Sequence, residues 1–339
     1  MRDLTDITLH NTTNPTVDLI VRSTILLFEA AFPGRVGGIF VEGSYANHTA
    51  LPYSDLDLIV VFKDHFVHET ECQDAQRVAS ACSALSQLEL DIDISDEASL
   101  KLGADPMFAL GALCLYGTDI RKTIPLLPVQ QWARQRMHAA YWLMINVFHR
   151  PRLVHPPLAY PLPTSPLLGY DQRTIRRPDG QEAPSTRDLV RVVTWIATAL
   201  VAYQSGSYVV AKQEVPGAYR QVVHDRFANL VEQVYQDCRE NWGYAIPADK
   251  VALQRLRTLC ERVLTFENHF LDIYRKFLLD ELSNSDGTAQ EDALRLLENT
   301  YLDDAEITQA VEQLKTHPQA SIRKAANTVL QFREHLVSA

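Results

Sequence analysis

Gly43-Ser44-Tyr45-Ala46-Asn47-His48-Thr49-Ala50-Leu51-Pro52-Tyr53-Ser54-Asp55-Leu56-Asp57, running on into Leu58-Ile59-Val60-Val61-Phe62, is the stretch that decides the fold. The apolar run reads as a strand. Asp55 and Asp57, two residues apart, fall on one face of it, close enough to hold divalent cations between them. The Gly43-Ser44 turn upstream offers backbone N–H groups and a hydroxyl to a phosphate. Either half alone is commonplace: Asp-x-Asp marks many solvated strand ends, and Gly-Ser is an ordinary turn. Joined at this spacing, and preceded by a second apolar strand over residues 36–41, they point to a site for phosphate and metal.

Working outward, residues 17–32 carry the apolar spacing of an amphipathic helix (Leu19, Ile20, Ile25, Leu26, Leu27, Ala30), stopped by Pro33-Gly34. Residues 68–87 read as a further helix. Then Leu88-Glu89-Leu90-Asp91-Ile92-Asp93-Ile94 alternates apolar with acidic, a strand with one carboxylate face. Three acids in a row on one face repel one another, and bound cations relieve that repulsion. A third carboxylate beside Asp55 and Asp57 therefore comes from Glu89, Asp91 or Asp93. Asp91, mid-strand between Leu90 and Ile92, is the first choice.

This string, Gly-Ser, ten intervening residues and Asp-x-Asp, with the serine Ser54 just before the first Asp, resembles the active-site signature of the DNA polymerase beta-type nucleotidyltransferase superfamily. The resemblance implies an α+β fold, a small mixed-sheet catalytic domain followed by an all-helical C-terminal domain. It implies magnesium as cofactor, ATP or another nucleoside triphosphate as substrate, Gly43, Ser44 and Ser54 at the nucleotide, and Asp55, Asp57 and Asp91 at the metals. Within the superfamily the chain is most similar to the aminoglycoside adenylyltransferase branch, an antibiotic-modifying group. There the corresponding strand carries a glutamate preceded by leucine, as in Leu88-Glu89, and Glu89 is then the general base that takes the proton from the acceptor hydroxyl.

A second block supports that branch. Gly206-Ser207-Tyr208-Val209-Val210-Ala211-Lys212 resembles the branch's phrase in which a helix ends at glycine and a lysine soon after reaches the nucleotide phosphates. Residues 216–235, with Tyr219-Arg220 and Tyr235, continue in the same manner. Lys212, a compact cation, is the expected triphosphate contact, reaching across from the helical domain to clamp the nucleotide; the plainer role for such a lysine is to complement a helix dipole. One departure concerns the helix before the glycine, where the branch carries an arginine and this chain has Thr198, its nearest arginines being Arg187 and Arg191. The resemblance spans residues 20–125 with a specific motif and 186–240 with a weaker one.

The 339 residues, 46% hydrophobic and 22% charged, exceed one ordinary domain. The expected division is a catalytic domain over 1–125, a helical clamping domain over 126–285 and a short HEAT-like helical cap over 286–339. Strand signals vanish from about residue 129, and helical periodicity recurs over 129–149, 186–205, 217–241, 248–281, 289–299, 303–315 and 319–336. Residues 150–185 hold eight of the seventeen prolines, together with Tyr160, Tyr170, Arg173, Arg176 and Arg177, and read as a lid or an insertion.

A formal charge of −10 argues against gripping nucleic acid through its phosphates and favours a small cationic acceptor. Cys72, Cys82, Cys114, Cys238 and Cys260 are scattered, with neither disulfide nor zinc spacing. The first residues lack the pattern of a signal peptide, no apolar run is long enough to span a bilayer, and a cytoplasmic location is expected. Trp132, Trp142, Trp195 and Trp242 sit at helical positions and read as core. His48, Tyr45 and Tyr53 lie in the motif loop, near the expected nucleotide.

Two classes of function follow. One is a magnesium-dependent transferase that moves AMP, or another nucleoside monophosphate, to a hydroxyl of an aminoglycoside-like acceptor, or in a variant to a protein or a tRNA. The other is a nucleotide-binding regulatory module without turnover. A decayed site would have lost a carboxylate, and none is missing, which favours the enzyme. Oligomeric state is left open.

Overall fold

The computed structural model describes residues 12, 14–52, 54–176 and 181–338. Tyr53, Arg177 and the N-terminal segment read for targeting signals lie outside these. The chain divides into two compact units, residues 1–132 with 208–214, and residues 133–207 with 215–339.

The first unit opens with helix α1 (Pro15–Ala31). Asn14 caps it, its side-chain oxygen accepting from the Thr16 and Val17 backbone N–H groups at 3.0 and 3.3 Å. Strands β1 (Val36–Val41) and β2 (Leu56–Phe62) flank the short helical turn α2 (Gly43–Ala46), and helix α3 (Glu69–Leu85) leads to β3 (Leu90–Asp96). Beyond these come α4 (Glu97–Leu102), a π-helical turn (Met107–Gly111) and β4 (Leu113–Gly117).

The sheet order is β3-β2-β1-β4. β1 runs antiparallel to β2 and β4, whereas β2 and β3 are parallel, so the chain must cross over between them, and α3 is that crossover. One face of the sheet presents Leu56, Leu58, Val60, Phe62 and Leu90 to a core completed by Val17, Val21, Ile25 and Phe28 of α1 and by Ala75, Ala79 and Cys82 of α3. The strand alternation sends Asp55, Asp57, Asp91 and Asp93 to the other face. That face is only partly covered, by a smaller cluster in which Phe40 meets Phe108 edge-on at 4.9 Å. The carboxylates are thus left clear of α1 and α3 because the same period-two pattern buries their neighbours.

The second unit is mainly helical: α5 (Val129–Asn146, its first turns in the first unit), α6 (Arg187–Ser205), α7 (Val215–Val222), α8 (Ala228–Gln233), α9 (Lys250–Leu282), α10 (Gly287–Leu297), α11 (Ala305–Leu314) and α12 (Ala320–Ser338). The helix read over 217–241 is instead broken after Val222 and ends in a π-helical stretch, Val234–Asn241.

The unit also holds strands that the all-helical expectation omitted. β5 (Leu153–Val154) pairs in parallel with β8 (Tyr301–Leu302), and β6 (Thr174–Arg176) pairs with β7 (Glu182–Pro184). All but β8 come from the proline-rich segment, whose described part is packed rather than loose. Leu167, Leu168 and Tyr170 are buried, and the Leu158 N–H donates to Asn268 Oδ1 at 2.6 Å.

The C-terminal helices pack on α9 and on one another within this unit, tied by Arg275 to Asp304 at 2.7 Å and Arg333 to Asp303 at 3.0 Å. Among the tryptophans Trp132 is fully buried, but Trp142 is 45% exposed, so that residue is not core. All five cysteines are free thiols.

Candidate active site

The carboxylate site is built by strand register. β2 and β3 pair so that Asp57 lies opposite Asp91, Leu56 opposite Leu90, and Ile59 opposite Asp93. Asp55, Asp57 and Asp91 each offer a carboxylate oxygen, and these oxygens all lie within 4.8 Å of one another. Cross-strand pairing, which no residue spacing reveals, is what singles out Asp91. Asp93 is two pairs further along, and partial loss of its hydration, followed by the neighbouring Asp91 charge, pushes its pKa up. Glu89 sits at the start of the pairing, its carbonyl accepting from Leu56 N–H at 2.8 Å. Neither belongs to the triad of oxygens.

Two negative charges at this separation repel by on the order of 3 kcal/mol at an effective dielectric of about 20. Hard oxygen donors gathered this way suit magnesium, which favours carboxylates and phosphate oxygens over nitrogen or sulfur.

The Gly-Ser turn is locked to the same strand. Glu42 N–H donates to the Asp57 carbonyl at 2.9 Å, and Gly43 follows at φ +65°, in the left-handed region that glycine enters at least cost. A Cβ on Gly43 would stand 2.9 Å from Asp57 Oδ2. Glycine eases both the left-handed backbone and the close approach of the Asp57 carboxylate. The loop after it is closed by Thr49 N–H to the Ser44 carbonyl at 2.9 Å, and His48 takes a positive φ of 58°.

Ser54, expected at the nucleotide, is buried, and its hydroxyl accepts from Leu51 N–H at 2.9 Å while its own N–H donates to the Leu51 carbonyl. The structure thus gives it the work of closing the motif loop ahead of Asp55. Tyr45 belongs to the helix-side core rather than to a stacking surface.

Lys212 is placed differently from the expectation. Residues Tyr208–Glu214 pack with the catalytic unit, so Lys212 does not reach across from the helical one. α6 ends at Gly206 (φ +61°), and the strap that follows is seated on the first unit. The Tyr208 hydroxyl donates to the Leu127 carbonyl, its ring meets Trp132 edge-on at 5.3 Å, Val209 is buried, and Lys212 opens a short 3-10 turn with its side chain exposed. Neither this seat nor the π-helical turn at Met107–Gly111 was visible in the sequence, since both depend on contacts between segments some hundred residues apart. In the second unit Arg191 lies over the Trp195 ring at 5.9 Å and Arg187 is buried.

Residues 22–104 match the family model of the nucleotidyltransferase domain. The first unit therefore carries a nucleotidyltransferase domain over residues 22–104. No curated protein matches the chain. Among solved structures, the spectinomycin adenyltransferase AAD(9) from Enterococcus faecialis, crystallised with ATP and spectinomycin, is similar over 72% of this chain and 98% of its own, at 12% identity and a TM-score of 0.40. A likeness of that size fixes neither the nucleotide nor the acceptor. Among the described residues, no helix is long and apolar enough to cross a membrane.

Proposed function

We propose that the protein transfers AMP from ATP, with magnesium, to a hydroxyl of a small cationic acceptor of the aminoglycoside kind. The observation that carries this reading is the convergence of Asp55, Asp57 and Asp91 beside the Gly43-Ser44 turn, which packs close to the Asp57 carboxylate. Asp55, Asp57 and Asp91 would hold magnesium, which supplies charge neutralisation for the triphosphate and a lowered pKa for the attacking hydroxyl.

The acceptor oxygen forms a bond to the α-phosphorus as the α–β phosphoanhydride breaks, and pyrophosphate departs. Glu89, next along the acidic strand from Asp91, takes the hydroxyl proton. Gly43 and Ser44 orient the phosphates through backbone N–H groups and a hydroxyl, and Lys212 adds a positive charge to them. The net charge of −10 supports a cationic acceptor over a polyanionic one.

The test is a panel of amino sugars, proteins and tRNA incubated with α-labelled ATP and magnesium. Label transferred to an amino sugar and released by phosphodiesterase is the expected result. Label on protein or tRNA alone replaces the acceptor class. ATP binding without transfer to any of the three would leave a regulatory module.

A further inference from the structure

The Met107–Gly111 π-helical turn touches two elements that the proposed chemistry places at the triphosphate. On one side it lies against α2, the turn of Gly43 and Ser44. On the other it meets the strap that carries Lys212: a Cβ added to Gly111 would stand 2.7 Å from Val210 Cγ1, closer than side-chain carbons pack. Gly111 has no positive φ, so the backbone alone does not demand glycine there. What demands it is Val210.

The turn itself is held at both ends. Asp105 Oδ1 accepts from Met107 N–H at 2.8 Å where it begins. Where it ends, the Ala112 carbonyl accepts from Arg121, whose guanidinium is gripped by Asp119 at 2.8 and 2.6 Å. Midway, Phe108 is buried and locked edge-on against Phe40 of β1. The strap is anchored upstream by Tyr208 on Leu127 and turns downstream at Ala211–Glu214, where Glu214 N–H donates to the Ala211 carbonyl at 2.9 Å. A shift of the strap at Val210 would reach Lys212, two residues further along.

We infer that the Met107–Gly111 turn is a positioning element for the nucleotide. It sets the spacing between the phosphate-facing Gly43-Ser44 turn and Lys212, with Gly111 and Val210 as its contact pair. This rests on the reading of Lys212 as a phosphate contact. π-Helical turns are uncommon and are found often at functional sites, and here one spans the gap between two ligand-facing elements.

The test is calorimetric titration of a nonhydrolysable ATP analogue with magnesium into the full-length protein and its variants, with melting temperatures recorded alongside. Gly111→Ala is expected to weaken analogue binding by about tenfold through displacement of the strap. Val210→Ala, which removes the clashing methyl, is expected to restore affinity in the Gly111→Ala/Val210→Ala double variant relative to Gly111→Ala. In a Lys212→Ala background, Gly111→Ala is expected to cause no further loss, the mark of two residues acting through one interaction.

A general packing defect would instead add its loss to that of Lys212→Ala. Should Gly111→Ala fail to fold, Val210→Leu crowds the same contact from the strap side and is read in the same way. Wild-type affinity in Gly111→Ala beside weakened Lys212→Ala overturns the positioning role and leaves the lysine reading intact. Wild-type affinity in Lys212→Ala overturns both. Failure of Val210→Ala to rescue shows that the contact pair is not the means.

Discussion

Two groups of carboxylates, one in each unit, are treated by the fold in opposite ways. In the helical unit Glu267 is fully buried and closed: Arg150 donates to both of its oxygens at 3.0 and 2.7 Å, and the Tyr170 hydroxyl donates at 2.6 Å. Its charge is answered within the fold. In the catalytic unit Asp55, Asp57 and Asp91 are brought together, like charge against like, and none is fully buried. Oxygens of these three acids, all within 4.8 Å of one another, form a group that could hold a cation. The contrast is between a carboxylate paired inside a helical core and carboxylates gathered beside one another on one face of a sheet.

The largest effects should come from exchanging what each group does. Asp57→Asn is expected to lower turnover by more than about a hundredfold, because it removes a ligand charge, while the melting temperature holds or rises as repulsion is relieved. Turnover and calorimetric unfolding on the same preparation check this, and a variant that loses stability along with activity would blur the contrast. Glu267→Gln is expected to do the reverse. It strips the charge from a buried pair and leaves Arg150 unanswered, at a cost of about 3–5 kcal/mol, with turnover per folded molecule retained. Denaturant titration gives the first quantity and active-site titration the second.

A smaller effect of the same kind is expected from acid. His138, buried on α5 with Nδ1 2.9 Å from the Tyr274 hydroxyl, has its pKa lowered to about 4 by burial and then by the nearby charges of Arg134 and Arg295. The unfolded chain binds that proton near pH 6.5, the folded chain only near 4. Stability is therefore complete above about 6.5 and falls as the pH drops towards 4, by up to about 3 kcal/mol. Stability curves across this window should flatten in His138→Gln. An unchanged slope would mean that other groups set the acid response of the helical unit.

How far the sequence could be read follows the range of the interactions involved. The strands at 36–41 and 56–62 and helix α6 were legible because a short apolar run and the 3.6-residue period are local signals. Asp55 and Asp57 were legible for the same reason. The third carboxylate was not settled by spacing, since Glu89, Asp91 and Asp93 share one face, and only the pairing of β2 with β3 sets Asp91 opposite Asp57.

Ser54 shows the reverse difficulty: a residue in the right place within a motif has its hydroxyl engaged by Leu51 N–H, a bond that sequence does not display. The proline-rich segment misled because its order comes from distant partners, Glu267 for Tyr170 and Asn268 for Leu158. Lys212 follows the glycine that ends α6, as its phrase in the sequence implied, yet it belongs with the first unit, where its segment meets Leu127 and Gly111.

The central claim is that Asp55, Asp57 and Asp91 form one cation site with Asp91 as its third member. Manganese, a spectroscopic stand-in for magnesium, tests this by electron paramagnetic resonance titration of wild type, Asp91→Asn, Asp93→Asn and Glu89→Gln in the presence of the nonhydrolysable ATP analogue. The account predicts that Asp91→Asn weakens manganese binding by at least about tenfold, while Asp93→Asn and Glu89→Gln stay within about twofold of wild type. Unchanged binding in Asp91→Asn, or an equal loss in Asp93→Asn, would contradict it.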